Sequence, residues 1–469
     1  MLEKEKGNVF NIFLYSLYDS LNVDNKKSAL EKKMNRQLYS LDYSTPDSAS
    51  TATAFLSGVK TNMGVVGYDG NVQYHNCTST KQAKKLNSVL DWARAAGKKT
   101  GIITTSRVTH ATPAAAYAHT PARWWEVINF IPRKDRAKCK DIAVQLIEDN
   151  DHINVIMGGG RSFFLPSGME DPEIKSMIGF QRMDGRNLVE EWEEDKKKKG
   201  SKYAYVWNRN MFKDIDDDVE YILDDDIDDD DNDDDDNDDD DDGNDYDVDG
   251  LFNPSHMEYD LERTKYGRRG EPSMSEMVNK AISVLEKGDD GFVLIVEGAR
   301  IDHGHHANMP MLSLNDVSGF DDAVKKAKQR TDADDTLIVV TADHSHGFDI
   351  TGYQQRGTDI FGKQDEMEPT DDKPMTILHY ANGPGHDEPR ENLTNIDTTS
   401  SVVRFPAGVP LHSGTHSGED VAIYANGPMS HLVNGVQEQS YIAFVMAYSA
   451  CIGPYGTGRM NRWCKKGRT

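Results

Sequence analysis

The stretch Val293-Leu-Ile-Val-Glu297-Gly-Ala-Arg-Ile-Asp302-His303-Gly-His305-His306 decides the fold class of this 469-residue chain. It begins as an apolar run of strand length, and its ten residues from Glu297 to His306 carry five side chains able to bind a divalent metal. Open α/β sheets place their sites where strands end, because side chains converge at that edge. Asp302 and His306 are four residues apart and can face one ion together. Taken alone, the stretch also fits a histidine-rich surface turn.

Two later segments repeat this pattern and decide against a surface turn. The apolar run Thr336-Leu-Ile-Val-Val-Thr-Ala342 is followed by Asp343-His344-Ser345-His346, and Thr415-His416-Ser-Gly-Glu419-Asp420 precedes a further strand pattern. Chance rarely places such clusters at three strand ends. Carboxylates and neutral imidazoles are zinc ligands, and two zinc ions a few ångströms apart suit phosphoryl transfer. We therefore predict a metal-dependent phosphoryl-transfer site at one edge of a sheet.

Phosphoryl transfer also requires a nucleophile and a cation that holds the phosphate. Thr45-Pro46-Asp47-Ser48 precedes an apolar run, which is typical of a helix N-terminus, and such a terminus favours an anion near Ser48. An ordinary N-cap is the more common explanation of that segment alone. An arginine close to His110 is the candidate phosphate-binding cation. Alternating helix and strand patterns along the chain predict an α/β fold.

The acidity of the chain comes from one segment. The net charge is -26, and residues 214–249 contain 24 acidic side chains without a Lys or Arg. Such a run repels itself and cannot bury apolar area, so we predict a disordered insertion, with weak Ca²⁺ binding as the less favoured role. The body of the chain is nearly neutral, and we expect no nucleic-acid partner. No apolar run of eighteen residues and no signal-peptide pattern occurs.

These segments together resemble an animal-type alkaline phosphatase. The matching segments are 46–53, 104–113, 296–306, 341–346 and 415–422, and the similarity runs from about Pro46 to Tyr455 around the acidic insertion. The resemblance implies an α/β fold with a large, mostly parallel central sheet flanked by helices on both faces. It divides the chain into a divergent segment 1–45, the phosphatase domain 46–455 with a loop-rich crown at about 354–414, and a tail 456–469.

The resemblance also implies hydrolysis of small-molecule phosphate monoesters at alkaline pH. Ser48 would become a phosphoserine intermediate, and Asp47 would orient Arg123, whose planar guanidinium grips two phosphate oxygens. Two zinc ions and one magnesium ion are implied, and their ligands are Asp302, His306 and His416 for one zinc, Asp343 and His344 for the other, and Glu297 and Thr112 for magnesium, with His110 holding a bound water. His303, His305 and His346 are implied to support these ligands without binding metal.

The same resemblance implies a calcium site and a contact between subunits. A calcium site would use Glu173, the Phe252 carbonyl and Glu271, weakened because Asn253 stands where the family has a carboxylate. Tyr353 occupies the place of a tyrosine that the family sends to its partner subunit, so we expect a homodimer.

The expected compartment is the extracellular space or the cell surface, reached through the secretory pathway. The resemblance implies two disulfides, Cys77 with Cys139 and Cys451 with Cys464, which form in oxidising compartments. Asn76 and Asn392 lie in glycosylation sequons. A signal peptide and an apolar C-terminal tail for a lipid anchor are not present in this sequence, which favours an incomplete gene model.

The N-terminus departs from the family pattern. The family's first strand ends in Asp-Gly-x-Gly, whose Asp bridges the second zinc and the magnesium, and this chain has no such motif. The apolar run from Asn8 to Leu21 fits a buried strand or a short helix, with Ser16 near the expected Asp and Asp19 one turn on. Two hypotheses follow: an active phosphomonoesterase, or a catalytically impaired relative acting in metal or mineral binding.

Overall fold

The structure is a computed structural model that describes residues 8–13, 32–171, 181–215, 219–223, 251–263, 265, 270–364 and 369–456, with the backbone alone described for 8–13 and 32–37. The strands are β1 (Asn8–Phe13), β2 (Lys32–Gln37), β3 (Lys99–Arg107), β4 (Val155–Gly159), β5 (Tyr203–Ala204), β6 (Tyr221–Ile222), β7 (Phe292–Glu297), β8 (Thr336–Thr341), β9 (Ser345–His346), β10 (Phe348–Ile350), β11 (Leu378–Tyr380), β12 (His416–Ser417), β13 (Val421–Asn426) and β14 (Gly435–Glu438). The helices are α1 (Ser48–Ser57), α2 (Val89–Ala95), α3 (Ala111–Ala114), α4 (Ile142–Val144), α5 (Leu188–Lys199), α6 (Arg209–Asp214), α7 (Asp260–Arg263), α8 (Met274–Leu285), α9 (Arg300–His306), α10 (Pro310–Arg330) and α11 (Tyr441–Ala450).

Ten strands form one central sheet in the order β14-β2-β13-β8-β1-β7-β3-β4-β6-β5. Within the part of the chain that the structure describes, β13 alone runs antiparallel to its neighbours in this sheet. Parallel strands are buried on both faces, which explains why β7 and β8 are continuous apolar runs. The predicted α/β fold with a mostly parallel sheet is confirmed.

The sheet separates two hydrophobic cores. Val293 and Ile295 of β7 contribute to the core that contains α1, α2 and α11, whereas Leu294 and Val296 contribute to the core with α8 and α10. This division follows from the alternation of side chains along a strand. Helices therefore cover both faces, and the ends of the central strands remain free to build a site.

The run that begins at Asn8 contains a strand. β1 lies between β7 and β8, parallel to both, and its last residue, Phe13, is in register with Glu297 and Thr341. Ser16 and Asp19, the positions considered for the bridging carboxylate, lie outside the described residues.

The sheet extends into the segment expected to be an acidic insertion. Asp214 ends α6, β6 pairs with β4 and β5, and Val219, Ile222 and Leu223 are buried. The boundary expected at 214 is therefore corrected, because scattered apolar residues among the acids extend the core to Leu223. Residues 224–249 lie outside the part that the structure describes.

The predicted crown has few regular elements. β11 pairs with β10, and Leu378, Tyr380 and Phe405 form a small hydrophobic cluster of their own.

One predicted disulfide, Cys77 with Cys139, is confirmed. Cys451 is also disulfide-bonded, whereas Cys464 lies outside the described residues. Among the helices described here, none has the length and apolarity needed to cross a bilayer.

Candidate active site

The predicted catalytic residues meet at the carboxyl edge of the central sheet. Glu297 is the last residue of β7, Asp343 and His344 follow β8, and Ser48 begins α1. A cavity of about 610 Å³ opens at this edge, and Asp47, Ser48, His110, Arg123, Asp302, His306 and His416 are among the residues that line it. Residues almost 370 positions apart in the chain thus face one space.

Ser48 is held at the positive end of α1. Asp47 is the N-cap of this helix, and its Oδ1 accepts hydrogen bonds from the backbone N–H groups of Ser50 at 3.2 Å and Gly64 at 2.9 Å. The Ser48 hydroxyl lies 3.3 Å from Nε2 of His344. A serine at this position can meet a phosphate where the helix dipole stabilises negative charge.

Arg123 is fixed beside Ser48 by a buried carboxylate. Its guanidinium donates to Oδ2 of Asp47 at 2.9 Å, and its second terminal nitrogen is 3.3 Å from Nε2 of His110. Burial raises the pKa of Asp47, but Arg123 and the Gly64 amide outweigh burial and hold that pKa below its ordinary value. Arg123 is therefore oriented by an ionised partner, as a phosphate-binding arginine requires.

A group that we term the carboxylate cluster comprises Asp302, His306, His344, His346 and His416. Oδ1 of Asp302 lies 3.3 Å from Nε2 of His306 and 3.5 Å from Nε2 of His416, and it also contacts Nε2 of His346. Burial raises the pKa of Asp302, but the imidazoles outweigh it and hold the pKa well below the ordinary value. The structure thus brings a carboxylate and several imidazoles to one point.

Backbone carbonyls orient the imidazoles of this cluster. Nδ1 of His416 faces the Pro46 carbonyl at 2.9 Å, and Nδ1 of His306 faces the Gly414 carbonyl at 2.5 Å. When the ring is neutral, an Nδ1–H donated to a carbonyl leaves the Nε2 lone pair for a metal. The two Nε2 atoms are 3.2 Å apart, so the donors converge. The carboxylate cluster therefore fits zinc.

His346 was expected to support ligands without binding metal. Pairing of β9 with β12 places His346 opposite His416, within the group of nitrogens and oxygens that converge on Asp302. His305 is buried and directs its Nδ1 to the Tyr380 hydroxyl at 3.0 Å. Of these two histidines, His346 is the one placed where it could bind a metal.

Glu297 is surrounded by hydroxyl groups. Thr104 donates to its Oε2 at 2.5 Å, and Ser106 donates to the same oxygen at 3.3 Å. Burial raises the pKa of Glu297 to about 7, against the hydrogen bonds from Thr104, Thr112 and Ser106, which lower it. Oxygen ligands of this kind suit magnesium. Thr104 and Ser106 both lie in segment 104–113, but neither was predicted as a neighbour of Glu297.

A second group, which we term the arginine-flanked cluster, comprises His110, His256 and His303. Their ring nitrogens lie within 4.8 Å of one another. The guanidinium of Arg107 lies 2.6 Å from Nε2 of His256, and that of Arg300 lies 3.2 Å from Nδ1 of His303. Burial and Arg300 lower the pKa of His303 to about 3. Burial also lowers the pKa values of His110 and His256, so all three imidazoles favour the neutral form.

His256 was not predicted as a site residue. It is 149 positions from Arg107 in the chain, and no local pattern marks it. Arg107 lies in segment 104–113 and is held by Glu126 through hydrogen bonds of 2.8 and 2.7 Å. A buried acid that fixes an arginine is visible only once the chain is folded.

The expected calcium residues are partly described. Glu173 lies outside the described residues, and Phe252 and Glu271 are both buried. Asn253 donates to Oε1 of Glu271 at 3.1 Å, and the Glu258 amide donates to Oε2 at 2.8 Å. The Asn253 amide thus occupies an oxygen that a calcium ion would use.

The residues expected to contact a partner subunit or to carry glycans differ in their solvent exposure. Tyr353 is 80% exposed, and Asn392 is exposed. Asn76 is half-buried and caps a short helical turn through its side-chain oxygen. The homodimer and the glycosylation stay predictions.

Comparisons with known proteins agree with this geometry. The family described as alkaline phosphatase matches residues 19–225 and 231–452. The tissue-nonspecific alkaline phosphatase of Felis catus is 42% identical over 422 residues, which cover 88% of this chain and 75% of the relative. The alkaline phosphatase of Gadus morhua is 43% identical over 423 residues, covering 88% and 82% respectively. The alkaline phosphatase structure from Thermus thermophilus shares the fold, with a TM-score of 0.63 and 21% identity over 96% of this chain and 92% of that one.

Proposed function

The chain belongs to the alkaline phosphatase family and is a phosphatase, and we propose that it hydrolyses phosphate monoesters through a phosphoserine on Ser48 with two zinc ions and one magnesium ion. One observation supports this most directly. Ser48 at the N-terminus of α1 faces a single cavity together with the Arg123–Asp47 pair and members of the carboxylate cluster. A nucleophile, a phosphate clamp and metal ligands thereby converge.

The chain's own residues perform two tasks in this reaction. Arg123, held by Asp47, grips two oxygens of the phosphate and turns the phosphorus toward Ser48. The Ser48 oxygen then gives up its proton and forms a bond to phosphorus while the bond to the substrate alcohol breaks, and the alcohol leaves carrying one proton in balance. Water subsequently cleaves the phosphoserine and releases inorganic phosphate, which returns Ser48 to its starting state.

The residues present fit the ions that the family implies. Asp302, His306 and His416 would hold one zinc, Asp343 and His344 the other, and Glu297 and Thr112 the magnesium, with His110 nearby. When bound, these ions would stabilise the serine alkoxide, supply a nucleophilic water and neutralise charge on the phosphate. We include His346 as a further candidate ligand because its Nε2 contacts Asp302.

A catalytically impaired relative that binds metal or mineral is the alternative. Its basis is the absence of the Asp-Gly-x-Gly motif from the sequence, together with the long run of Asp residues. The two functions differ in turnover. Zinc-loaded protein that binds its ions but does not hydrolyse an aryl phosphate ester at alkaline pH would support the impaired relative.

The decisive experiment compares Ser48→Ala with Ser318→Ala, a control serine exposed on α10. Loss of a catalytic nucleophile reduces kcat by up to about 10⁶-fold, so we expect at least a 10⁴-fold loss for Ser48→Ala and none for the control. Mass spectrometry after acid quenching should find phosphate on the peptide that contains Ser48. Substantial turnover by Ser48→Ala would contradict the assignment.

We also propose that the protein follows the secretory pathway and acts as a homodimer. The disulfide between Cys77 and Cys139 supports an oxidising compartment. Glycosidase digestion of protein made in a secreting host should reduce its mass if Asn76 or Asn392 carries a glycan. Light scattering should give twice the chain mass, and Tyr353→Ala should lower that mass if this exposed tyrosine contacts the partner.

A further inference from the structure

Large side chains remain uncovered around the mouth of the active-site cavity. Tyr43, Met63, Tyr74 and Trp124 line this cavity and are 58%, 36%, 42% and 49% exposed. We term Tyr43, Tyr74 and Trp124 the aromatic rim. Large aromatic side chains are usually well buried, and the next residue, Trp125, is fully buried against the Cys77 region. Exposed aromatics that line a cavity indicate a binding surface.

Trp124 stands directly beside the group that holds the phosphate. Its ring centroid is 5.1 Å from Cζ of Arg123 and 6.5 Å from the centroid of the His110 ring. A ring joined to the phosphate by a few bonds would therefore lie within reach of the indole. Trp124 is positioned to contact the leaving alcohol and not the phosphate itself.

The rim and the phosphate clamp share one rigid anchor, Gly64. The Gly64 amide donates to Asp47, and its carbonyl accepts from the Arg123 amide at 2.8 Å. The Tyr74 ring packs so closely on Gly64 that a Cβ at this position would overlap it, and the positive φ of 76° also favours glycine. Tyr74 of the aromatic rim is thus held in a fixed relation to Arg123, which lowers the entropic cost of binding a ring.

The cavity has room for more than a phosphate group. Its volume of about 610 Å³ lies in the range that accommodates a drug-sized ligand. Aromatic side chains stack with planar rings through their polarised faces, an attraction that a saturated ring of similar size does not offer. The cavity thus has both the space and the surface for a planar group.

We propose that this phosphatase prefers monoesters whose leaving alcohol carries a planar aromatic ring, which stacks on Trp124. The inference rests on the proposed function and specifies its substrate class. Trp124 is a specificity-determining residue of that reaction.

The test uses two esters that share a two-carbon linker and differ in the ring, which is planar in 2-phenylethyl phosphate and saturated in 2-cyclohexylethyl phosphate. Both release primary alcohols, so the chemical step is equally demanding. A tenfold preference corresponds to about 1.4 kcal/mol, which is within the range that stacking on an aromatic side chain can supply. We expect the metal-loaded enzyme to show a kcat/KM ratio of about ten in favour of the phenyl ester.

Two variants separate stacking from apolar contact. Trp124→Phe keeps a ring and should retain most of the preference, whereas Trp124→Leu keeps apolar area and should bring the ratio close to one. Because both esters carry the same phosphate, any disturbance of Arg123 cancels in the ratio. A ratio near one in the unaltered enzyme, or an unchanged ratio in Trp124→Leu, would overturn the proposal.

A binding measurement keeps this inference distinct from the proposed function. The matching phosphonates, which cannot be hydrolysed, should show the same tenfold discrimination by calorimetry with the metal-loaded protein. If the protein discriminates between the phosphonates but does not hydrolyse the esters, the result would contradict the proposed hydrolysis and support ring binding at the aromatic rim. Equal affinity for both phosphonates would count against the rim whatever the turnover.

Discussion

The carboxylate cluster and the arginine-flanked cluster lie at the same active-site cavity and are built largely from histidine, yet they have opposite electrostatic surroundings. Asp302 faces His306, His346 and His416 in the first, whereas Arg107 and Arg300 adjoin His256 and His303 in the second. The rings of both sets are buried or half-buried. An imidazole is neutral in either setting unless a carboxylate keeps it charged.

The pKa values of two histidines on α9 express this difference. Asp302 and the Gly414 carbonyl outweigh burial and raise the pKa of His306 to about 9, while burial and Arg300 lower that of His303 to about 3. These histidines are three residues apart. The neighbours, and not the residue type, therefore set the pKa of these two histidines. Within the carboxylate cluster, burial still lowers the pKa of His346 to about 4 despite its contact with Asp302, so it is the Asp302 carboxylate that suits this cluster to a cation.

Among changes to the two clusters, removal of the Asp302 carboxylate should have the largest effect, because it abolishes the electrostatic difference between them. Asp302→Asn leaves the imidazoles without their central negative charge, so zinc affinity should fall. Loss of one preorganised electrostatic group costs roughly 10²–10³-fold in kcat, and we expect the upper end here. Elemental analysis would show lower zinc per chain, and Asp334→Asn, an exposed acid on the same domain, serves as the control. Full zinc content in Asp302→Asn would show that the carboxylate is not a ligand.

The next effect is expected at the phosphate clamp that adjoins the arginine-flanked cluster. Arg123→Lys keeps the charge but loses the planar fork that Asp47 orients. Misplacement of a reacting group by about 1 Å can cost 10²-fold, so kcat/KM should fall by about that factor. The inhibition constant of inorganic phosphate should rise in parallel. An unchanged constant would mean that Arg123 does not hold the phosphate.

A carboxylate introduced into the arginine-flanked cluster should give it electrostatic surroundings like those of the carboxylate cluster. In His256→Asp, the new negative charge faces Arg107 and lies beside the imidazoles of His110 and His303. Because this charge repels phosphate, inhibition by inorganic phosphate should weaken by about tenfold, which is equivalent to about 1.4 kcal/mol. Isothermal calorimetry should also show stronger binding of a divalent cation. His431→Asp, at an exposed position, is the matched control, and equal phosphate inhibition in both variants would refute the argument.

The smallest expected effect is on the free energy of unfolding, and it involves Asp316, a buried carboxyl that Arg300 influences. Burial raises the pKa of Asp316 to about 8, although the Asp260 amide and Arg300 act to lower it. The folded protein therefore holds a proton that the unfolded chain has lost between about pH 4 and pH 8. Stability falls across that window as pH rises, by at most about 1.4 kcal/mol per pH unit.

Asp316→Asn removes this titration. The midpoint of urea unfolding, compared between the variant and the unaltered protein, should shift in favour of the variant as pH increases from 5 to 8. A difference that stays constant over this range would show that Asp316 is ionised in the folded protein throughout.

The sequence predicted those features that local pattern encodes. Apolar runs of strand length located β7 and β8, and the spacing of Asp302 and His306 indicated one face of α9, because both signals depend on neighbours in the chain. Ser48 was recognisable from the helix start that precedes it. These elements contain most of the proposed ligands and the nucleophile.

Features that depend on pairing between distant segments could not be predicted. The contact of His346 with Asp302 requires β9 to pair with β12, and the place of His256 requires a loop to return to the end of β3. Trp124 and Trp125 are adjacent and chemically identical, yet one lines the cavity and the other is buried. Only the path of the folded chain distinguishes them.

The position of β1 has a consequence for the timing of synthesis. This strand is made before its two partners, β7 and β8, which end at Glu297 and Thr341. At a synthesis rate of about 5–20 residues per second, β1 waits roughly 15–65 seconds after its own emergence before both neighbours exist. During that interval an apolar strand is without its sheet, so the growing chain should depend on chaperones until the centre of the sheet closes around it.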